Sequence, residues 1–192
     1  MTSIAGEYYG IDSGNDQAYI LEAMDNNGLG TSRFHTNLQN KNYQYALMSY
    51  SELQFCLAEA AHRGLISGSA TQYHENALRA TFTEWKSTAS ATAINAFVTR
   101  ASVAYDGTLD RIMEQKWISL FFVGYESWND YRRTGLPEMP QGNALDNQGV
   151  LPTRLRYPAI LQSINATNWK KAVDDLGGTD SMTSKLWWAK TN

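Results

Sequence analysis

Residues 111–135 read RIMEQKWISLFFVGYESWNDYRRTG, and the fold is best inferred from this stretch. Large apolar residues recur in it at the three- and four-residue spacing of one helix face, which predicts a helix with one buried side. The predicted buried face comprises Ile112, Met113, Trp117, Leu120 and Phe121. Thr108 has the side chain of an N-cap, and Gly124 is a residue at which the helix would end or bend.

A second short amphipathic helix follows and mixes charged with aromatic side chains. Its notable residues are Glu126, Trp128, Asp130, Arg132 and Arg133. A charge close to apolar surface is costly unless it is paired, so we expect the two acidic residues to pair with the two arginines or with Lys116. The stretch is therefore interpreted as an ionic brace between packed helices, which Gly135 and Pro137 end.

Two helices are predicted upstream. Residues 49–52, Ser-Tyr-Ser-Glu, have the pattern of a capping box, and Ser69 begins the next helix about five residues after Gly64. The first of these helices has a narrow apolar face with small residues, namely Leu53, Cys56, Leu57, Ala60 and Ala61. Two helices joined by a short turn fit one tetratricopeptide-like hairpin. One such unit cannot bury its own face, so we expect neighbouring hairpins.

The chain has 192 residues, enough for one sizeable core, and we expect a single domain over residues 1–192. Within it we expect a loop-rich lead-in at 1–45, a helical core at 46–135 and a loop-rich tail with a short helix at 136–192. A net charge of −3 offers no basic surface for nucleic acid. The only cysteine, Cys56, is interpreted as a small buried apolar residue.

No catalytic residue, metal site or cofactor is predicted. His35, His62 and His74 have no common metal-ligand spacing, and the sequence has neither a nucleophile elbow nor a phosphate loop. Glu126 and Asp130 are four residues apart, which invites comparison with the paired carboxylates of glycosidases. Neighbouring arginines would keep both carboxylates ionised, however, and would remove the general acid that such a reaction needs. The sequence therefore predicts a protein that is not an enzyme.

Binding requires only a suitable surface, and the loops of this chain supply aromatic and polar side chains. Sugars present apolar C–H faces that stack on exposed rings, and their hydroxyls bond to amide, carboxylate and guanidinium groups. The predicted ligand-binding residues are Tyr8, Tyr9, Tyr19 and Phe34, with Arg33 and Asn37 nearby. The alternative is that each of these rings packs onto the core.

Three stretches carry a family resemblance. They are QKWISLFFVGYESWNDYRRTGLPEM at 115–139, LMSYSELQFCLAEAAHRG at 47–64, and RLRYPAILQSINATNWKKAVDDLGG at 154–178 followed by LWW. The first resembles the late helical signature of the SusD/RagB family of outer-membrane nutrient-binding lipoproteins. The second is similar to the helix that opens the family's last tetratricopeptide-like hairpin, and the third to the C-terminal tail of its SusD-like branch.

The resemblance implies a mainly α fold, a partial SusD-like superhelix with a tetratricopeptide-like hairpin, further helices and long irregular loops. It implies a non-catalytic oligosaccharide-binding module on the extracellular face of the outer membrane. Its partner would be a TonB-dependent transporter, and a lipid anchor absent from this chain would be the only membrane attachment. Because the family's chains are more than twice as long, we expect a C-terminal portion with apolar surface exposed where other hairpins belong. The alternatives are the peptide-binding branch and a protein-interaction scaffold.

Overall fold

A computed structural model describes residue 10 and residues 14–26, 46–145 and 149–189. Within these ranges the chain forms eight α-helices and no strand, which confirms the predicted mainly α fold. The helices are α1 (Gln17–Asn26), α2 (Tyr50–His62), α3 (Ala70–Glu84), α4 (Ala91–Val98), α5 (Leu109–Ser119), α6 (Glu126–Thr134), α7 (Leu161–Ile164) and α8 (Ala166–Asp175). A 3-10 turn, Trp187–Ala189, follows them.

The chain divides into two compact units. One comprises Met1–Tyr43 together with Pro140–Asn192, and the other is the continuous stretch Gln44–Met139, which contains α2 to α6. The expectation of a single domain over residues 1–192 stays a prediction.

Side-chain caps begin the helices of the continuous unit at the predicted positions. The Ser49 hydroxyl accepts a hydrogen bond from the Glu52 N–H at 3.1 Å, and the Ser69 hydroxyl accepts one from Gln72 at 3.3 Å. Thr108 caps α5 through the Arg111 N–H at 3.2 Å. Each cap satisfies an amide that the first helical turn leaves without a partner, a contribution of about 1 kcal/mol. The two predicted helices α2 and α3 consequently exist and pack along each other.

The core of this unit lies where α2, α3 and α5 meet. Its fully buried side chains include Phe55, Ala58, Ala77, Ile112 and Met113. His74 is also buried, at 1 % exposure, and its ring meets the ring of Phe55 edge to face at a centroid distance of 5.6 Å. Burial of one large apolar side chain such as Phe55 stabilises the fold by about 1.5–3 kcal/mol.

The predicted apolar face of α2 is wrong. Leu53 is 40 % exposed, whereas the buried positions of α2 are Ser51, Glu52, Gln54, Phe55, Ala58 and Glu59. Three of the polar members have partners on other elements. The Ser51 N–H and hydroxyl donate to Glu84 at 2.8 and 2.5 Å, Gln54 accepts from Asn76, and Glu59 accepts from Arg133. Glu52 differs, because its Oε2 is buried without a hydrogen-bond partner in the described residues. Because buried polar groups with partners cost little, the helix turns its polar side inward over part of its length.

The predicted face of α5 is correct for three of its five residues. Ile112, Met113 and Leu120 are buried, but Trp117 is 41 % and Phe121 44 % exposed. Gln115, Lys116 and Ser119 are buried instead. The helix also ends at Ser119, before Gly124, so Phe121 lies beyond the last helical turn and is no longer in phase with Ile112.

In the other unit, two distant stretches are joined by reciprocal hydrogen bonds. The Asp16 N–H donates to Asn143 Oδ1 at 2.9 Å, and Asn143 Nδ2 donates back to the Asp16 carboxylate at 3.2 Å. Asp16 also accepts from the Tyr19 N–H at 2.8 Å and so caps α1. A Cβ on Gly142 would lie 2.0 Å from the backbone of Gly14, so glycine is required by this close approach.

A second set of contacts holds the C-terminal part of this unit. Arg154, 5 % exposed, donates to Asp180 Oδ1 at 2.5 Å and to the Ser181 carbonyl at 3.1 Å. The Tyr157 N–H donates to the other Asp180 oxygen at 3.1 Å, and the arginine lies over the Tyr157 ring at 4.9 Å. Asp180 is therefore the residue that joins the 154–157 segment to the 180–182 segment.

Candidate functional site

Five charged side chains form an ionic brace that links α2, α5 and α6: Glu59, Arg63, Lys116, Asp130 and Arg133. Lys116 Nζ lies 2.7 Å from Asp130 Oδ2, and Arg133 Nη2 lies 2.8 Å from Asp130 Oδ1. Arg133 also donates to both oxygens of Glu59, at 2.5 and 2.7 Å, and Arg63 Nε donates to Glu59 Oε1 at 2.8 Å. The two-pronged contact between Arg133 and Glu59 is the geometry in which a guanidinium binds a carboxylate most strongly.

The brace holds its members in their charged forms. Burial acts to raise the pKa of Glu59, but the hydrogen bonds and charges of Arg133 and Arg63 outweigh burial and lower that pKa below 4.5. Burial acts to lower the pKa of Lys116, but Asp130 outweighs it and raises that pKa. Neither group can therefore act as an acid or base near neutral pH, and the brace is a structural element.

Glu59 and Arg63 are members that the sequence does not predict, and two expected members behave differently. Glu126 is exposed, and within the described ranges its hydrogen bond comes from Asn129 Nδ2 at 3.4 Å instead of from an arginine. The guanidinium of Arg132 lies over the Trp128 ring at 4.3 Å, a cation–π contact. The one available signal for Glu59 was its i,i+4 spacing to Arg63.

Exposed aromatic residues lie along the connection between α5 and α6. Phe121 and Phe122 meet at a centroid distance of 4.6 Å, and Phe121 also faces Trp85 at 6.3 Å. Phe122 has φ +75°, a left-handed conformation that is rare for a bulky residue. Tyr125 is 73 % exposed. Trp117 is also 41 % exposed, so the expectation that it lies in the core is wrong.

An open cleft of about 430 Å³ lies between α2 and α3. It is lined by Tyr50, Asn76, Arg79, Ala80, Thr83 and Glu84. The start of α2 beside it is apolar and exposed, with Leu47 at 96 %, Met48 at 61 % and Tyr50 at 59 %. The expectation of apolar surface exposed where other hairpins belong stays a prediction.

Of the predicted ligand-binding residues, the structure describes Tyr19. It lies in α1 and is 38 % exposed. Tyr8, Tyr9, Phe34, Arg33 and Asn37 lie outside the described residues. Their grouping into one ligand surface stays a prediction.

The described ranges contain neither a candidate metal centre nor a helix that could span a membrane. No group of three or more His, Cys, Asp and Glu side chains there could hold a metal ion. The helices in those ranges are too short or too polar to cross a bilayer. His74, which is buried, uses Nε2 to bond the Val103 carbonyl at 2.9 Å.

The chain belongs to the SusD-like family described as "Starch-binding associating with outer membrane", which matches residues 2–158. This confirms the resemblance inferred from the sequence. A SusD homologue from Bacteroides fragilis superposes with a TM-score of 0.81 at 26 % identity, over 95 % of this chain and 44 % of that one. A protein described as chitin-binding shares 34 % identity, with a TM-score of 0.66, over 74 % of this chain and 33 % of its own.

A chitin-binding SusD homologue from Flavobacterium johnsoniae also matches, at 26 % identity and a TM-score of 0.60. The match covers 74 % of this chain and 36 % of that homologue. The chain therefore spans between a third and less than half of the solved relatives described above. Curated proteins yield no match.

Proposed function

We propose that this chain is part of a non-catalytic glycan-binding protein that captures oligosaccharides at a cell surface for uptake. The observation that carries the proposal is the SusD-like match over residues 2–158, to a family described as starch-binding. Two matched structures are described as chitin-binding, and one of them shares 34 % of the aligned residues. Neutral polysaccharides of linked pyranose rings are therefore the proposed ligand class.

The charge chemistry of the helical unit supports a binding role over a catalytic one. Asp130 and Glu59 are both engaged by cations at 2.5–2.8 Å, so both carboxylates are committed to the ionic brace and neither is free for the role that a carboxyl plays in glycoside hydrolysis. Recognition of sugars requires only exposed rings and hydrogen-bonding groups. Tyr19 of α1, with Tyr8, Tyr9, Phe34, Arg33 and Asn37, remains the proposed contribution of residues 1–45 to that surface.

The proposed setting is the extracellular face of the outer membrane, beside a TonB-dependent transporter that receives the captured sugar. The family description, which associates these proteins with the outer membrane, supports the location. A lipid anchor is the proposed attachment to the membrane. Co-purification of the longer protein with a TonB-dependent transporter from detergent-solubilised outer membranes tests the partnership, and recovery of the protein without a transporter contradicts it.

Titration calorimetry with chitohexaose, maltohexaose and a mixture of short peptides tests the ligand class. Saturable heat with either sugar and none with the peptides is the expected result. Heat with the peptides alone would overturn the proposal in favour of a peptide-binding scaffold, the alternative that the tetratricopeptide-like hairpin leaves open. No heat with any ligand, from protein that unfolds cooperatively, would contradict both.

A further inference from the structure

We propose that the cleft between α2 and α3 is a saccharide subsite, in which Tyr50 stacks on one neutral pyranose ring and Arg79, Asn76 and Thr83 bond its hydroxyls. The inference rests on the proposed glycan-binding function and adds a specific site to it. This position lies in the helical hairpin, and none of its lining residues is among those predicted from the sequence to bind ligand.

The size and openness of the cleft suit one or two sugar rings. Its volume of about 430 Å³ lies within the range of about 300–1,000 Å³ found for small-molecule sites. The cleft is open to solvent, so a longer sugar chain could bind with one ring seated and its neighbours outside. An uptake protein must also release its ligand, and an open site favours that.

Tyr50 provides the stacking surface, and its position is held firmly. It is the first residue of α2, and the adjacent Ser51 is anchored to Glu84 by its N–H at 2.8 Å and its hydroxyl at 2.5 Å. The Ser49 cap holds the preceding residue. The backbone is thus immobilised while the ring is 59 % exposed, so little conformational entropy is lost when a sugar stacks on it.

The opposite wall carries oriented hydrogen-bonding groups. Arg79 donates Nε and Nη2 to Glu75 at 2.9 and 2.7 Å and Nη1 to Asn95 at 2.7 Å, which holds the guanidinium plane. Three N–H groups serve these contacts, and a guanidinium has five, so two remain for a ligand. The Asn76 amide is oriented likewise, because Nδ2 donates to Gln54 at 3.3 Å and Oδ1 accepts from Gln72 at 3.0 Å.

The charges around the cleft select neutral sugars. Glu75 compensates the charge of Arg79 through their 2.7 Å salt bridge. Glu84 lines the cleft and accepts its described hydrogen bonds from Ser51, which is uncharged. The cleft therefore carries a residual negative charge, which repels uronic acids and sulfated sugars and tolerates neutral hexoses and N-acetylhexosamines.

The test is calorimetry of the full chain with chitohexaose and maltohexaose as separate arms, and with a hexagalacturonate as the anionic arm. Tyr50→Ala is expected to weaken binding of the neutral sugar at least about tenfold, or about 1.4 kcal/mol. Tyr50→Phe keeps the ring and is expected to bind within about threefold of wild type. Tyr125→Ala is the matched control, because Tyr125 is 73 % exposed and does not line the cleft.

The outcomes separate this inference from the proposed function. If wild type binds a neutral sugar and both Tyr50→Ala and Arg79→Gln bind equally well, the subsite is overturned and the function stands. If wild type binds no sugar, both the subsite and the proposed glycan-binding function are overturned. Tighter binding of hexagalacturonate than of the neutral sugars also overturns the subsite. If Tyr50→Ala fails to fold, sugar titration followed by NMR of the Arg79 Nε–H and Asn76 amide decides, and unshifted signals overturn the inference.

Discussion

Lys116 and Asp130 form a salt bridge of 2.7 Å between α5 and α6, and the lysine side chain is only 6 % exposed. A cation at this depth is tolerated because the carboxylate next to it compensates for lost hydration. Asp130 is also bonded by Arg133, which in turn holds Glu59 of α2. These ion pairs thus connect three helices. Loss of any one partner would destabilise the fold, because it would leave another charge uncompensated.

Replacing Asp130 by Asn should lower the free energy of unfolding by about 3 kcal/mol, because the Lys116 charge stays buried without a compensating carboxylate. Urea denaturation measures this change. Asp174→Asn is the control, since its pair with Lys170 at 3.0 Å is exposed and should contribute less than about 0.5 kcal/mol. Equal, small effects of the two substitutions would contradict a buried brace.

Glu59 and Arg133 should be energetically coupled. A double-mutant cycle with Glu59→Gln and Arg133→Met is expected to give a coupling of about 1–2 kcal/mol, because the pair is two-pronged and the carboxylate side chain is only 9 % exposed. The same cycle on Glu75 and Arg79, whose side chains are 41 % and 40 % exposed, should give about 0.3–0.5 kcal/mol. Additive effects at Glu59 and Arg133 would refute the coupling.

His74 should make the protein less stable in mild acid. Burial lowers its pKa below 6.5, and its Nδ1 is buried without a hydrogen-bond partner in the described ranges. A histidine whose folded pKa is depressed contributes full stability above its unfolded pKa, near 6.5, and loses it as the pH falls towards the folded value. NMR titration of the ring should show a midpoint below 6.5, with unfolding free energy falling over the same interval.

A midpoint at or above 6.5 would contradict this pH dependence. The stability slope in that interval should disappear in His74→Gln and persist in His62→Gln. His62 is a suitable control because it also bonds a neighbour, the Tyr105 hydroxyl at 2.8 Å, but is only partly buried.

Phe55 and Trp117 are large aromatic side chains of the helical unit that differ in burial. Phe55→Ala should cost about 3–5 kcal/mol, because Phe55 is fully buried at the centre of the core. Trp117→Ala removes a ring that is 41 % exposed and should cost less than about 2 kcal/mol. Thermal and urea unfolding measure both. A Trp117 effect as large as that of Phe55 would show that Trp117 belongs to the core after all.

The parts of the fold that depend on neighbouring residues were predictable. The caps at Ser49, Ser69 and Thr108 each satisfy an amide three residues ahead, so the local pattern contains the answer. Gly135 ends α6 in a left-handed conformation, with φ +75°, for the same local reason.

The parts of the fold that depend on distant partners were not predictable from the sequence. Glu59 is buried because it meets Arg133, 74 residues away, and nothing in the spacing within α2 indicates that meeting. Periodicity shows that a helix has two unlike faces, but it does not show how wide the packed one is, so Trp117 was assigned to the core. The Tyr50 cleft likewise arises from residues of two helices and has no counterpart as a motif.

The bond between Asp16 and Asn143 spans 127 residues of chain, which constrains the order in which a growing chain can fold. The residues that pair α2 with α6 are all synthesised before Asn143, so the continuous unit can acquire its contacts first. At about 5–20 residues per second of synthesis, Asp16 waits roughly 6 to 25 seconds for its partner. During translation the contact that holds Asp16 is thus completed after the continuous unit, although Asp16 is made before that unit.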